Sequence, residues 1–137
     1  LPIKDTNYTV QFHILDFSGF SPFREMINNA IKDVNFILYV YDSTNLESFQ
    51  NIKLWKLSVS EMNTKPNVIE YLIGNKNELP EKIVTDKVSV DNLAKKNNFK
   101  SWSVSARSRN NLNELFQEMA NTYYDSYFKF TNKIKNL

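Results

Sequence analysis

Residues 10–16, Val-Gln-Phe-His-Ile-Leu-Asp, place Val10, Phe12 and Ile14 on one face and predict a half-buried strand. Before it, Leu1-Pro-Ile3 reads as a strand end, with Lys4-Asp-Thr-Asn7 as a hairpin turn. Residues 35–42 and 67–74 are near-continuous apolar runs of strand length, expected of parallel strands covered on both faces. Between them, Phe49, Ile52, Leu54, Trp55, Leu57, Val59 and Met62 recur at helical spacing over residues 46–62, opened by Thr44-Asn45 as a cap. Residues 89–98 read as a short helix ended by its asparagines, and 100–105 as a short strand. Leu112, Leu115, Phe116, Met119, Tyr123, Tyr127 and Phe130 define a last helix over about 110–130, with Asn110 or Asn111 as its cap.

Strands alternating with helices predict an α/β fold, a doubly wound and mostly parallel sheet flanked by helices, in a single domain over residues 1–137. Ligands of such sheets bind beyond the carboxyl ends of the strands. Those ends read Asp16-Phe-Ser-Gly19, Asp42-Ser-Thr-Asn45, Gly74-Asn-Lys-Asn-Glu78 and Ser105-Ala-Arg107.

Composition narrows the chemistry. Seventeen Lys+Arg against fifteen Asp+Glu leave +2, too balanced for a nucleic-acid footprint. With no cysteine there is no thiolate metal site, no Cys nucleophile and no direct lipid anchor on a cysteine of this chain. The longest apolar runs fall far short of the ~20 residues that cross a bilayer. Only Gly19 and Gly74 are present, so neither G-x-x-x-x-G-K-[ST] nor G-x-G-x-x-G lies in these residues. His13 is the only histidine, with no second one to share a metal, and is expected to be structural or solvated.

The four strand ends, in this order and spacing, resemble the Ras superfamily of small GTP-binding proteins from its second strand to its last helix. Asp16-Phe-Ser-Gly19 is similar to D-x-x-G, Gly74-Asn-Lys-Asn-Glu78 contains a relative of N-K-x-D, and Ser105-Ala-Arg107 is similar to S-A-K. Tyr41-Asp-Ser-Thr-Asn-Leu-Glu-Ser-Phe49 resembles the way Rab proteins enter their third helix. Leu1-Pro-Ile-Lys-Asp-Thr6, Val10 to Gly19 and Phe23-Arg-Glu-Met-Ile27 resemble a Rab-like branch that serves intraflagellar transport, with a divergent trafficking Rab as the alternative.

The resemblance implies GTP or GDP with Mg²⁺ as ligands and protein effectors or transport-complex subunits as partners. It gives Asp16 to Mg²⁺ through water, Gly19 to the γ-phosphate, and Asn75, Lys76, Glu78, Ser105, Ala106 and Arg107 to guanine. Asn75 would hydrogen-bond the base and Lys76 would lie along it, with Ala106 offering its N–H. Glu78 departs from the family's Asp; its extra methylene shifts the carboxylate and is expected to weaken guanine selectivity. Phe20 occupies the position of the water-orienting Gln, so no catalytic residue is assigned and hydrolysis is expected to be very slow. Residues 20–31 would then be a switch-like helix offering Phe20, Phe23, Met26 and Ile27 either to a partner or to the core.

The family's first strand and phosphate loop have no counterpart here, and a sheet without that middle strand leaves ladder groups unpaired, so upstream residues or a donated strand are expected. Three classes stay open: a nucleotide switch with little hydrolysis, a nucleotide-independent interaction subunit, and, ranked last, a receiver-like domain with Asp42 as phospho-acceptor. The expected location is the cytoplasm, extending to the cilium for the transport branch.

Overall fold

The computed structural model describes residues 1–17, 24–62 and 64–128. The chain forms two compact units, one built from residues 1–16 with the segment beginning at Leu112, the other from residues 17–111.

The larger unit opens with α1 (Arg24–Ala30), which tightens into a 3-10 turn at Ile31–Asp33, and continues into β1 (Phe36–Asp42) and α2 (Leu46–Ser60). β2 (Ile69–Asn75), a 3-10 turn at Pro80–Lys82, α3 (Lys87–Asn97) and β3 (Lys100–Ser103) complete it. Caps set the helix ends. Asn45 Oδ1 accepts from Ser48 N at 3.1 Å to open α2, and Asp86 Oδ1 accepts from Ser89 N at 2.8 Å to open α3. Asn98 closes α3 in the left-handed conformation, which asparagine tolerates better than most residues.

The sheet is parallel, in the order β1-β2-β3. Register brings Asp42 opposite Asn75, and Gly74 opposite Ser103, so the three carboxyl ends finish level with one another. Tyr71, Leu72, Ile73 and Gly74 are buried in succession, as a central parallel strand requires. β1 departs from the expected two-sided burial: Tyr39 and Tyr41 are buried while Val40 between them is 58% exposed. The core joins these tyrosines to Phe49, Ile52 and Val59 of α2 and to Leu93, Ala94 and Phe99. Tyr39 enters it because its hydroxyl donates to Glu70 Oε1 at 2.7 Å and Glu70 also pairs with Lys56. Burial and that carboxylate push the Tyr39 phenol far above its ordinary range.

The smaller unit pairs Pro2 with Thr9 in an antiparallel bridge around the turn anticipated at residues 4–7, where Thr6 donates through Oγ1 to Ile3 O at 2.8 Å. Its helix α4 (Leu112–Tyr123) buries Leu115, Met119 and Ala120 and unwinds into a π turn at Tyr124–Phe128. Gln117 Nε2 of α4 donates to Pro2 O at 3.0 Å.

Three expectations are corrected. Residues 10–16 are not a strand, because among the described residues the Pro2–Thr9 bridge is the only β pairing in the smaller unit; Phe12 packs its ring on Phe116 at 5.7 Å, and Ile14 lies 70% exposed. α2 is narrower in its apolar stripe than its composition suggests: Phe49, Ile52 and Val59 are buried, whereas Leu54 and Leu57 face solvent. Asn110 and Asn111 donate through Nδ2 to Asn77 Oδ1 and Ser103 O, and Asn111 sits at φ 60°, away from the extended backbone an N-cap needs; among the described residues neither Oδ1 accepts from the first turn of α4.

Candidate functional site

The level carboxyl ends of β1, β2 and β3 bring three loops together within the larger unit. Asn77 N donates to Val104 O at 3.1 Å, Asn77 Nδ2 to Ser103 O at 3.0 Å, and Ser43 N to Asn75 O at 3.1 Å. Ser105 N reaches Asn110 O at 3.1 Å. The 75–78 and 105–107 loops are thereby one hydrogen-bonded body, each satisfying the backbone groups that strand ends leave unpaired.

Asn75 is half-buried at the last position of β2, and its Oδ1 accepts from Ala106 N at 3.0 Å. The Ala106 N–H, expected to meet the base, is thus committed to Asn75, while Asn75 Nδ2 makes no hydrogen bond to protein among the described residues. Lys76 holds its backbone at φ 71°, in the left-handed region that a side chain with a Cβ disfavours. Its Nζ lies 2.6 Å from Asp42 Oδ2. Asp42 is itself fixed through Oδ1, which accepts from Thr44 N at 2.8 Å and Thr44 Oγ1 at 2.7 Å. Lys76, more than the Thr44 contacts, holds the Asp42 carboxyl below its ordinary range.

Glu78 carries the third polar group. The Ser105 hydroxyl, ahead of Glu78's own backbone N–H and the charges of Arg107 and Lys76, holds its carboxyl below the ordinary range. Ser105 is fully buried and its Oγ accepts from Ser108 N at 2.9 Å. Glu78 Oε2 is out of solvent contact and has no hydrogen-bond partner. An ionised oxygen without a donor is unfavourable, so this loop pair fits a ligand that brings an N–H. A purine base beside Asn75 Nδ2 and Glu78 meets that requirement.

Arg107 and Ala106 are exposed beside the loop. Asp16 belongs to the other unit and is exposed; a single carboxylate suits Mg²⁺, which keeps much of its own water. Gly19, Phe20 and Phe23 lie outside the described residues. His13 is exposed, as a solvated histidine would be. Sequence reasoning overlooked Asp42 as the partner of Lys76 and the asparagines 77, 110 and 111 as lacing. The first was signalled by Asp42 ending its strand level with Asn75; the second had no signal beyond general Asn richness.

A model of the Ras family matches residues 2–125. The chain is 29% identical over 119 residues to "Ras-related protein Rab-5B" of Plasmodium falciparum (isolate 3D7), covering 87% of this chain and 56% of that protein. It is 30% identical over 111 residues to "Ras-related protein Rab-13" of Bos taurus, covering 81% and 54%. With "Ras-related protein Rab-1" of Theileria parva the identity is 30% over 129 residues, covering 93% and 58%. The chain spans a little over half the length of these relatives.

Proposed function

This chain belongs to the Ras family, and on that premise we propose that it is a Rab-like small GTP-binding protein with little hydrolysis of its own, acting in intracellular transport through protein partners. One observation carries the proposal: the N-K-x-E and S-A-R loops stand joined at level strand ends, through Asn75 Oδ1 and Ala106 N, beside an unpartnered Glu78 oxygen. Guanine would lie against Asn75, Lys76 and Glu78. Mg²⁺ bound with the nucleotide would neutralise phosphate charge; the family resemblance gives Asp16 to it through water and Gly19 to the γ-phosphate.

Phe20 has no lone pair with which to orient an attacking water, so bound GTP persists and output passes through partner binding. Within α1, Ile27 is buried and Met26 is 59% exposed, so Met26 supports a partner-facing role and Ile27 a core role. The sequence of residues 1–6, 10–19 and 23–27 supports assignment to the intraflagellar-transport branch, in the cytoplasm and cilium. Titration of fluorescent GDP and GTP into the full-length protein with magnesium, competed by ATP and XTP, is the test. Binding competed by guanine nucleotide alone supports the proposal; a folded protein that binds none overturns it.

A second role, an interaction subunit that works without nucleotide, is favoured by one contact. Asn75 Oδ1 already satisfies the Ala106 N–H, so the two loops keep their shape with no base between them.

A further inference from the structure

We propose that the groove between α2 and α3 docks a protein partner through an acidic amphipathic helix, with apolar side chains seated against Phe49 and Leu93 and carboxylates on Lys53 and Lys96. The inference deepens the partner-binding half of the reading above and needs no bound nucleotide.

The groove is a cavity of about 380 Å³ within the larger unit. One row of each helix forms its walls. Leu46, Gln50 and Lys53 of α2 follow one another at spacings of four and three, and Ser89, Asn92 and Lys96 of α3 at spacings of three and four, so each set lies along one side of its helix. Phe49 and Leu93, each 7% exposed, supply the apolar floor.

The α2 row does not stop with the cavity. Leu57 continues it four residues beyond Lys53, and Leu46, Leu54 and Leu57 are 47%, 64% and 59% exposed. α2 thus carries apolar residues on its outward side as well as on the side that meets the core, where a surface helix ordinarily keeps a single apolar stripe. From Leu46 to Leu57 the row runs roughly 16 Å along the axis, which suits a helix laid alongside better than a small ligand held in the cavity.

Charge decides what kind of helix. Lys53 and Lys96 line the cavity from opposite walls, both exposed, and neither has an ion pair among the described residues. Asp86 is the one acidic residue of the lining, and its Oδ1 is occupied in accepting from Ser89 N at 2.8 Å. Glu47 and Asp91, on the same two helices, do not line the cavity. Two unpaired ammonium groups beside an apolar floor complement Asp or Glu side chains set three or four residues from an apolar anchor.

The test is selection, on the full-length protein, of random displayed peptides of about sixteen residues, long enough to span the row as a helix. The recovered peptides are expected to carry net negative charge with apolar residues at spacings of three and four. A synthetic copy of the strongest is expected to bind the Lys53→Glu/Lys96→Glu variant about tenfold or more weakly than wild type. It should also shift the wild-type amides of residues 46–57 and 85–96, which decides the matter if the variant does not fold. Recovery of no peptide, of neutral or basic peptides only, of peptides that bind the variant equally, or amide shifts confined to other elements overturns the proposal. A dimer of the full-length protein in sedimentation that dissociates on the same charge reversal assigns the groove to a second copy and overturns it too. Fluorescent GDP titrated into the same protein separates the two readings: peptide binding at the groove without any nucleotide binding overturns the nucleotide function alone.

Discussion

Gly74→Ala is the most informative single change in the sheet. A Cβ at Gly74 would stand 2.6 Å from the Tyr41 hydroxyl oxygen, 2.8 Å from its Cζ and 3.0 Å from Ser43 Oγ. Ordinary carbon contacts begin near ~3.5 Å, so atoms must move by several tenths of an ångström. Tyr41 cannot swing away cheaply: it is 5% exposed and its ring packs on Phe49 at 5.0 Å. Overpacking of this kind costs about 1–3 kcal/mol, against which alanine's lower unfolded-state entropy returns about 0.5–1. The net loss is about 1–2 kcal/mol, a fall in Tm of roughly 3–8 °C for a chain of this size. Tyr41→Phe removes the nearest clashing atom, so the double variant is expected to lose less than the sum of the two singles by about 0.5 kcal/mol or more. Urea unfolding of the four proteins supplies the cycle. Gly74→Ala as stable as wild type, or strict additivity, would refute the packing argument.

The Lys76–Asp42 pair is partly exposed, with Lys76 at 45%, so Asp42→Asn is expected to cost under about 1 kcal/mol at neutral pH. Because the folded Asp42 carboxyl titrates below its ordinary 3.8, its stabilisation is present above that value and disappears as acid protonates it. The urea midpoints of wild type and Asp42→Asn should therefore keep their separation from pH 7 down to about pH 4 and converge as the pH falls below 3.8. Ile52→Ala, at a side chain 2% exposed, is expected to cost about 2–5 kcal/mol, while Leu54→Ala, on the same helix but 64% exposed, stays within about 0.5, both read by thermal unfolding. Asn45→Ala removes the cap that accepts from Ser48 N and should cost about 0.5–2 kcal/mol in the same measurement.

The β-α-β core was legible because its evidence is local. Apolar runs of strand length and the Asn45 cap lie within a few residues of the elements they specify, and the observed β1, α2 and β2 differ from expectation by one or two residues at their ends. Residues 10–16 failed for the opposite reason. Alternation states which face a strand would bury and is silent on whether a neighbour exists to complete its ladder. At the site, Asn75, Lys76 and Ser105 could be placed at strand ends from order alone. The Lys76–Asp42 pair and the Ser105 hold on Glu78 join residues 34 and 27 positions apart, and only the shared register of the parallel strands brings them together.

Amide chemical-shift mapping of the full-length protein during addition of GDP, with ADP as control, most directly tests whether these loops hold a guanine base. The prediction is that GDP shifts the amides of Asn75, Lys76, Glu78, Ser105 and Ala106 as a group, and that ADP at the same concentration leaves them in place. A folded protein whose 75–78 and 105–107 amides ignore GDP, or answer ADP equally, would contradict it.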